Sequence, residues 1–188
     1  MGPNDTLLDL LLEAQALDRV DRAGYALRGV PDPESVAEHS YQVALAVWAL
    51  APLASGLDGA RAVEIALLHD LAEVRTGDLP RNAARYLPDG AKHTAERAAF
   101  AELAAPAGAR AISRFEEYLA ASSPEARFVR ACDKLQLMVK VLVYERWGCA
   151  GLAEFWNHAG NFPDANEFPL FSELVTELRA RRAALDRT

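Results

Sequence analysis

The sequence predicts an all-α fold built as a single domain over residues 1–188. Three observations carry that expectation. Alanine, which loses least on entering a helix, supplies 37 of the 188 residues. Apolar residues recur at spacings of three and four almost throughout the chain. No sustained period-two alternation stands between turn signals, so no sheet is predicted.

The elements follow in order. Leu7, Leu8, Leu11, Leu12 and Ala16 form a first apolar stripe. A second helix is predicted over Val36–Leu53, with Ser35 as its cap and Pro52 near its end. A third spans Asp58–Val74 and stops at Thr76-Gly77-Asp78-Leu79-Pro80. Lys92–Leu103 and Ala109–Leu119 are the fourth and fifth. Ser123-Pro124-Glu125 reads as a helix start, with a capping hydroxyl, a proline at the first helical position and an acid favoured by the dipole. That helix runs to about Tyr144. A short helix at Leu152–His158 and a last one at Phe168–Arg182 complete the chain. Trp48, Phe115, Phe128 and Leu135 are expected in the core.

Composition narrows the function. Net charge is −7, with a pI near 5.1, which argues against a nucleic-acid polymer as ligand because neutralising phosphates needs a clustered basic surface. A nucleotide, with few charges, stays possible. Cys132 and Cys149 are the two cysteines, too few for a disulfide framework, and suit a reducing, cytoplasmic compartment. No apolar run approaches the roughly 20 residues that span a bilayer, and no signal-peptide pattern opens the chain. The start Met1-Gly2-Pro3-Asn4-Asp5-Thr6 matches an N-acylation pattern only formally, since a polybasic partner is missing.

Four residues stand out as metal ligands: His39, His69, Asp70 and Asp133. Their spacings require three separate helices to converge, as ligands do in bundle cores. Two imidazoles and two carboxylates suit a divalent ion without fixing which one. With four protein ligands, an octahedral ion keeps positions for water and substrate, which a catalytic site needs. His69-Asp70 ends the apolar run Ile65-Ala66-Leu67-Leu68, where unpaired polar groups would be costly. Glu73 shares the helical face predicted for His69 and Asp70, and Asp78 follows just beyond. Such acidic crowding is unfavourable without a cation.

These segments resemble a family. Ser35-Val36-Ala37-Glu38-His39-Ser40, Leu67-Leu68-His69-Asp70-Leu71-Ala72-Glu73-Val74-Arg75-Thr76-Gly77-Asp78-Leu79-Pro80 and Ala131-Cys132-Asp133-Lys134-Leu135 are similar to the HD-domain metal-dependent phosphohydrolases. Within them the chain most resembles the small 5′-deoxynucleotidases, over about residues 7–182. The segment Arg22-Ala23-Gly24-Tyr25-Ala26-Leu27-Arg28, Tyr144-Glu145 and Glu154-Phe155 extend the similarity. The resemblance implies a helical bundle with a metal site in its core and hydrolysis of deoxyribonucleoside 5′-monophosphates. It implies one divalent cofactor (Co²⁺, Mn²⁺, Mg²⁺, Fe²⁺, Ni²⁺ or Zn²⁺), a nucleotide as small-molecule partner, and a homodimer. Arg22 matches the family's phosphate-binding arginine. Tyr25 falls where relatives often carry Trp, at the substrate. Glu73 could orient or deprotonate the attacking water, and Asp78 could bind substrate and protonate the departing 5′-oxygen.

Other residues have plainer readings. His93 and His158 read as surface or loop histidines, Cys132 as core, and Arg28 as either a second phosphate ligand or a salt bridge. Two alternatives to the nucleotidase stand. One is another HD-domain hydrolase: a dNTP triphosphohydrolase, a (p)ppGpp hydrolase or a cyclic-nucleotide phosphodiesterase. The other is a non-catalytic metal- or nucleotide-binding module, against which an intact Glu73 and Asp78 count.

Overall fold

The computed structural model describes residues 3–185, so the formal acylation match at Met1-Gly2 lies outside it. Its helices are α1 (Pro3–Ala14), α2 (Ala23–Ala26), α3 (Val36–Leu50), α4 (Gly59–Leu68), α5 (Glu73–Thr76), α6 (Arg81–Ala84), α7 (Ala91–Leu103), α8 (Ala109–Ala120), α9 (Pro124–Arg146), α10 (Ala153–Asn157) and α11 (Leu170–Leu185). Among the described residues the one β feature is an isolated antiparallel bridge between Asp21 and Ser35. The all-α expectation holds. No helix among the described residues is long and apolar enough to cross a membrane.

Caps set the long helices. Ser35 and Glu38 form a reciprocal capping box on α3, Asp58 accepts from the Arg61 N–H, and Ser123 accepts from the Ala126 N–H. Helices α3, α4 and α9 then pack together around Val43, Val47, Ile65, Phe128, Val129 and Cys132, all fully buried. A second cluster continues along α9 through Met138, Val141 and Tyr144 to Tyr25, Phe155 and Trp156. A third, under α7 and α8, centres on Phe100 and Phe115, stacked 4.0 Å apart. At about 1.5 Å per residue, the 23 residues of α9 run roughly 35 Å and tie the first cluster to the second. Asp133 sits near their junction.

Two expectations fail. The helix predicted over Asp58–Val74 breaks after Leu68. Leu71, Glu73, Val74 and Arg75 donate to carbonyls three residues back, so the chain tightens before α5 forms. Gly77, at φ +69°, then turns the backbone through the left-handed region that favours glycine. Trp48 is the second correction. It is 69 % exposed, because α3 carries two apolar stripes and turns Val43 and Val47, not Tyr41 and Trp48, toward the core.

Candidate metal centre

Helix α3 brings in His39, the end of α4 brings His69 and Asp70, and α9 brings Asp133. His39 Nε2 faces His69 Nε2 at 3.4 Å. Asp70 Oδ2 lies 3.3 Å from His69 Nε2 and 3.5 Å from His39 Nε2, and Asp133 Oδ1 lies 3.2 Å from His39 Nε2. His39, His69 and Asp70 have donor atoms mutually within 4.8 Å, a set that could hold a metal ion. Asp133 joins this group through its approach to His39.

The other ring nitrogens decide what faces inward. His69 Nδ1 is 2.6 Å from the Ala66 carbonyl, which can only accept, so Nδ1 carries the hydrogen. His39 Nδ1 is 2.7 Å from Gln136 Oε1 and is a donor by the same argument. Both Nε2 atoms of the neutral rings therefore present lone pairs to each other. Two lone pairs at 3.4 Å do not bond, but they match two nitrogens that each sit about 2.1 Å from one shared ion. The residues present fit a divalent cation.

Electrostatics agree. Burial works against the charge on Arg22, yet Asp70, Asp78, Asp133 and Glu73 hold it firmly protonated. Arg22 Nη1 reaches Asp70 Oδ2 at 3.2 Å and stands 4.0 Å from Asp78 Oδ1. Burial also opposes ionisation of Asp70, but His69 and Arg22 keep it well below the usual carboxylate range; for Asp133, too, burial is outweighed, and His39 lowers its carboxyl. Glu73 behaves oppositely. Burial first, then Asp70 and Asp78, push its carboxyl up to about 9. His69 is lifted as well, by Asp70, despite its burial. Without a cation, the site favours protons where positive charge is short.

Glu73 is 2 % exposed, and its Oε2 is the one buried side-chain polar atom among the described residues without a hydrogen-bond partner. Its Oε1 faces Lys92 Nζ at 3.6 Å, and the same ammonium lies 3.3 Å from Glu96. Asp78 Oδ2 accepts the Ala23 N–H at 2.7 Å, so it pins the start of α2 beside Arg22.

Tyr25 is not at the site surface. Its ring is 1 % exposed, packed between Tyr144 and Phe155, and its hydroxyl donates to the Leu137 carbonyl. Arg28 pairs with Glu154, lies over Phe155 and donates to the Gly24 carbonyl, which fits the salt-bridge reading. His93 is exposed, and His158 contacts Arg81 in a loop. Lys92, Gln136 and Glu34 are contributors that the sequence reading missed. The available signal was the shared face of Asp133, Gln136 and Lys140 on α9, at i, i+3 and i+7.

Comparison with known proteins places this geometry. A mouse protein named 5′-deoxynucleotidase HDDC2 is 33 % identical, the match covering 97 % of this chain and 93 % of that protein. The human protein of that name is 34 % identical, over 95 % of this chain and 87 % of its own length. A solved structure of a conserved hypothetical protein from Pyrococcus furiosus superposes with a TM-score of 0.77 at 34 % identity, covering 92 % of this chain and 99 % of that one. A family model described as HD domain matches residues 14–160. The chain belongs to the HD-domain family.

Proposed function

We propose that this chain is a metal-dependent phosphohydrolase that removes the 5′-phosphate from deoxyribonucleoside 5′-monophosphates, the activity named for its mouse and human relatives. One observation carries the reading: the two imidazole Nε2 atoms, 3.4 Å apart, and Asp70 lie beside the Arg22 guanidinium. A cation site and a phosphate-binding group thus share one wall. His39, His69, Asp70 and Asp133 are the proposed ligands of one divalent ion (Co²⁺, Mn²⁺, Mg²⁺, Fe²⁺, Ni²⁺ or Zn²⁺) within one HD domain over residues 1–188.

When bound, that ion supplies positive charge for the phosphoryl oxygens and acidity for a water. Arg22 offers a planar fork suited to two phosphate oxygens. Glu73, with one oxygen unpartnered, takes the proton of the attacking water; a neighbouring cation favours its carboxylate, the form that a base needs. Lys92 faces Glu73 and offsets its charge. A bond forms between the water oxygen and phosphorus, the bond from phosphorus to the 5′-oxygen breaks, and the departing 5′-oxygen takes a proton from Asp78, so that nucleoside and phosphate leave. Asp78 Oδ2 accepts the Ala23 N–H and holds the Arg22 segment against the substrate, which leaves Oδ1 for the proton donation proposed for this residue. A cytoplasmic homodimer completes the proposal. The exposed Tyr41, Leu45 and Trp48 on α3 supply an apolar face of the kind such a dimer covers.

Phosphate release by metal-stripped protein, with each ion added back singly, tests the reading. The panel holds matched deoxy- and ribonucleoside 5′-monophosphates, plus dNTPs whose products are resolved separately. Metal-dependent release, faster from the deoxy forms, is the expected result. Silence on every monophosphate by folded, metal-loaded protein overturns it, and triphosphate release from dNTPs moves the chain to the triphosphohydrolase alternative.

A further inference from the structure

Behind His39 runs a line of buried polar groups that neither the ligands nor the proposed chemistry uses directly. His39 is fully buried, Gln136 is 6 % exposed and Glu34 is 3 % exposed. His39 Nδ1–H donates to Gln136 Oε1 at 2.7 Å. The Gln136 amide nitrogen donates to Glu34 Oε2 at 3.0 Å and reaches Oε1 at 3.3 Å. Lys140, one turn along α9, closes the line with its ammonium 3.0 Å from Glu34 Oε2. The main chain of Glu34 is fixed too, since its N–H donates to Tyr144 Oη and its carbonyl accepts from the Arg22 N–H.

The direction of every bond follows from donor chemistry. A carboxylate only accepts, so Glu34 must face the NH₂ end of Gln136. The amide oxygen is then turned to His39, and His39 must present a hydrogen at Nδ1 and a lone pair at Nε2. The two histidines differ in how that state is secured. His69 is held by the backbone carbonyl of Ala66, which no substitution removes, whereas His39 depends on a side chain. The opposite tautomer of His39 is close at hand, because Nε2 stands 3.2 Å from Asp133 and 3.5 Å from Asp70, either of which would accept an Nε2 hydrogen. In that state the cluster would satisfy itself, with a hydrogen where the ion belongs.

We propose that Gln136, oriented by Glu34 and Lys140, is the positioning residue that keeps the His39 Nε2 lone pair free for the metal. The inference rests on the metal-site reading above, and two readouts separate the two. The first is affinity for Co²⁺ and Mn²⁺ by competition with a chelating dye. The second is the ¹⁵N imidazole spectrum of the metal-free full chain near pH 8, with His39 assigned from its absence in His39→Asn.

In the wild type, His39 is expected as the Nδ1–H tautomer. Gln136→Leu keeps the volume and removes the acceptor; metal affinity should fall 10–100-fold and the His39 signals should move toward the Nε2–H form. The exchange Glu34→Gln with Gln136→Glu returns an acceptor to His39 at unchanged total charge, and should recover most of the affinity. Should Gln136→Leu fold poorly, Gln136→Met removes the same acceptor with a more adaptable side chain and takes the same two tests. A lowered melting temperature with affinity and tautomer unmoved would reduce Gln136 to a packing residue and overturn the proposal. If the wild type binds neither ion while the tautomer still switches in Gln136→Leu, the metal reading fails and the control of His39 stands.

Discussion

The two walls of the site are built on opposite terms. On the His39 side, α3 and α9 bury Glu34, Gln136 and His39, and their hydrogen bonds continue without a gap to Lys140 and the Tyr144 hydroxyl. On the Glu73 side, the chain breaks from α4 into a tight turn, and Glu73 is just as buried with one oxygen unpartnered. Its compensating cations, Arg22 and Lys92, come from other segments, and the Lys92 ammonium stands 3.6 Å from Oε1. A fully bonded polar wall holds geometry, because moving any member leaves a buried group unsatisfied. A wall with an orphaned polar atom carries an unmet demand, which the proposed cation with its water would meet. Position is fixed on one side, and reactivity is held on the other.

Asp70 joins the walls, so its removal should have the largest effect. Asp70 Oδ2 faces Arg22 and both histidines within 3.5 Å. Asp70→Asn keeps the volume and deletes the charge. Metal analysis should find the variant nearly metal-free, and kcat/KM should fall roughly 10³-fold or more, about 4 kcal/mol of transition-state stabilisation. An ion retained at full stoichiometry would place the cation elsewhere.

Glu73→Gln sharpens the contrast, since it should spare the metal and still lower kcat by roughly 10²–10⁴-fold. It also has a signature without metal. Glu73 rises from the usual 4.5 to about 9 on folding, so between those values the folded chain keeps a proton that the unfolded chain has released. The carboxyl therefore lowers stability progressively as pH climbs through that window. In chelator, the melting temperature of Glu73→Gln relative to wild type should increase from pH 5 to pH 9. A gap independent of pH would mean that Glu73 ionises as an exposed glutamate does.

The same division explains what the sequence could reveal. Caps at Ser35, Asp58 and Ser123 are local chemistry, and the helices starting there were legible. His69 and Asp70 were conspicuous because polar groups ending an apolar helix run need a reason, and His39 and Asp133 because they are ligand types on separate helices that must converge. The break after Leu68 was not, because apolar periodicity continues through Leu71 and Ala72; only the i→i−3 bonds of the folded chain reveal the turn. Gln136 was invisible for a related reason. A glutamine within a helix is ordinary, and its meaning lies in Glu34, 102 residues away. Trp48 shows the limit of periodicity, which finds two apolar stripes on α3 without saying which one faces inward.

Tyr25 offers the smallest and most discriminating break. The resemblance puts it in a segment expected to bind substrate, yet it packs in the second core cluster, with its hydroxyl donating to the Leu137 carbonyl of α9 at 3.1 Å. That carbonyl lies within a continuous helix, so losing the phenol does not strand it. Tyr25→Phe should then cost about 1 kcal/mol, a fall of roughly 2–4 °C in Tm for a chain of this size. The ratio of deoxy to ribo kcat/KM should stay as in the wild type, because the ring itself is retained and its edge-to-face contact with Tyr144 persists. A changed ratio at unchanged Tm would return the hydroxyl to the substrate and require the α2 segment to open in use. A lowered Tm at constant ratio leaves sugar selection to groups nearer Arg22.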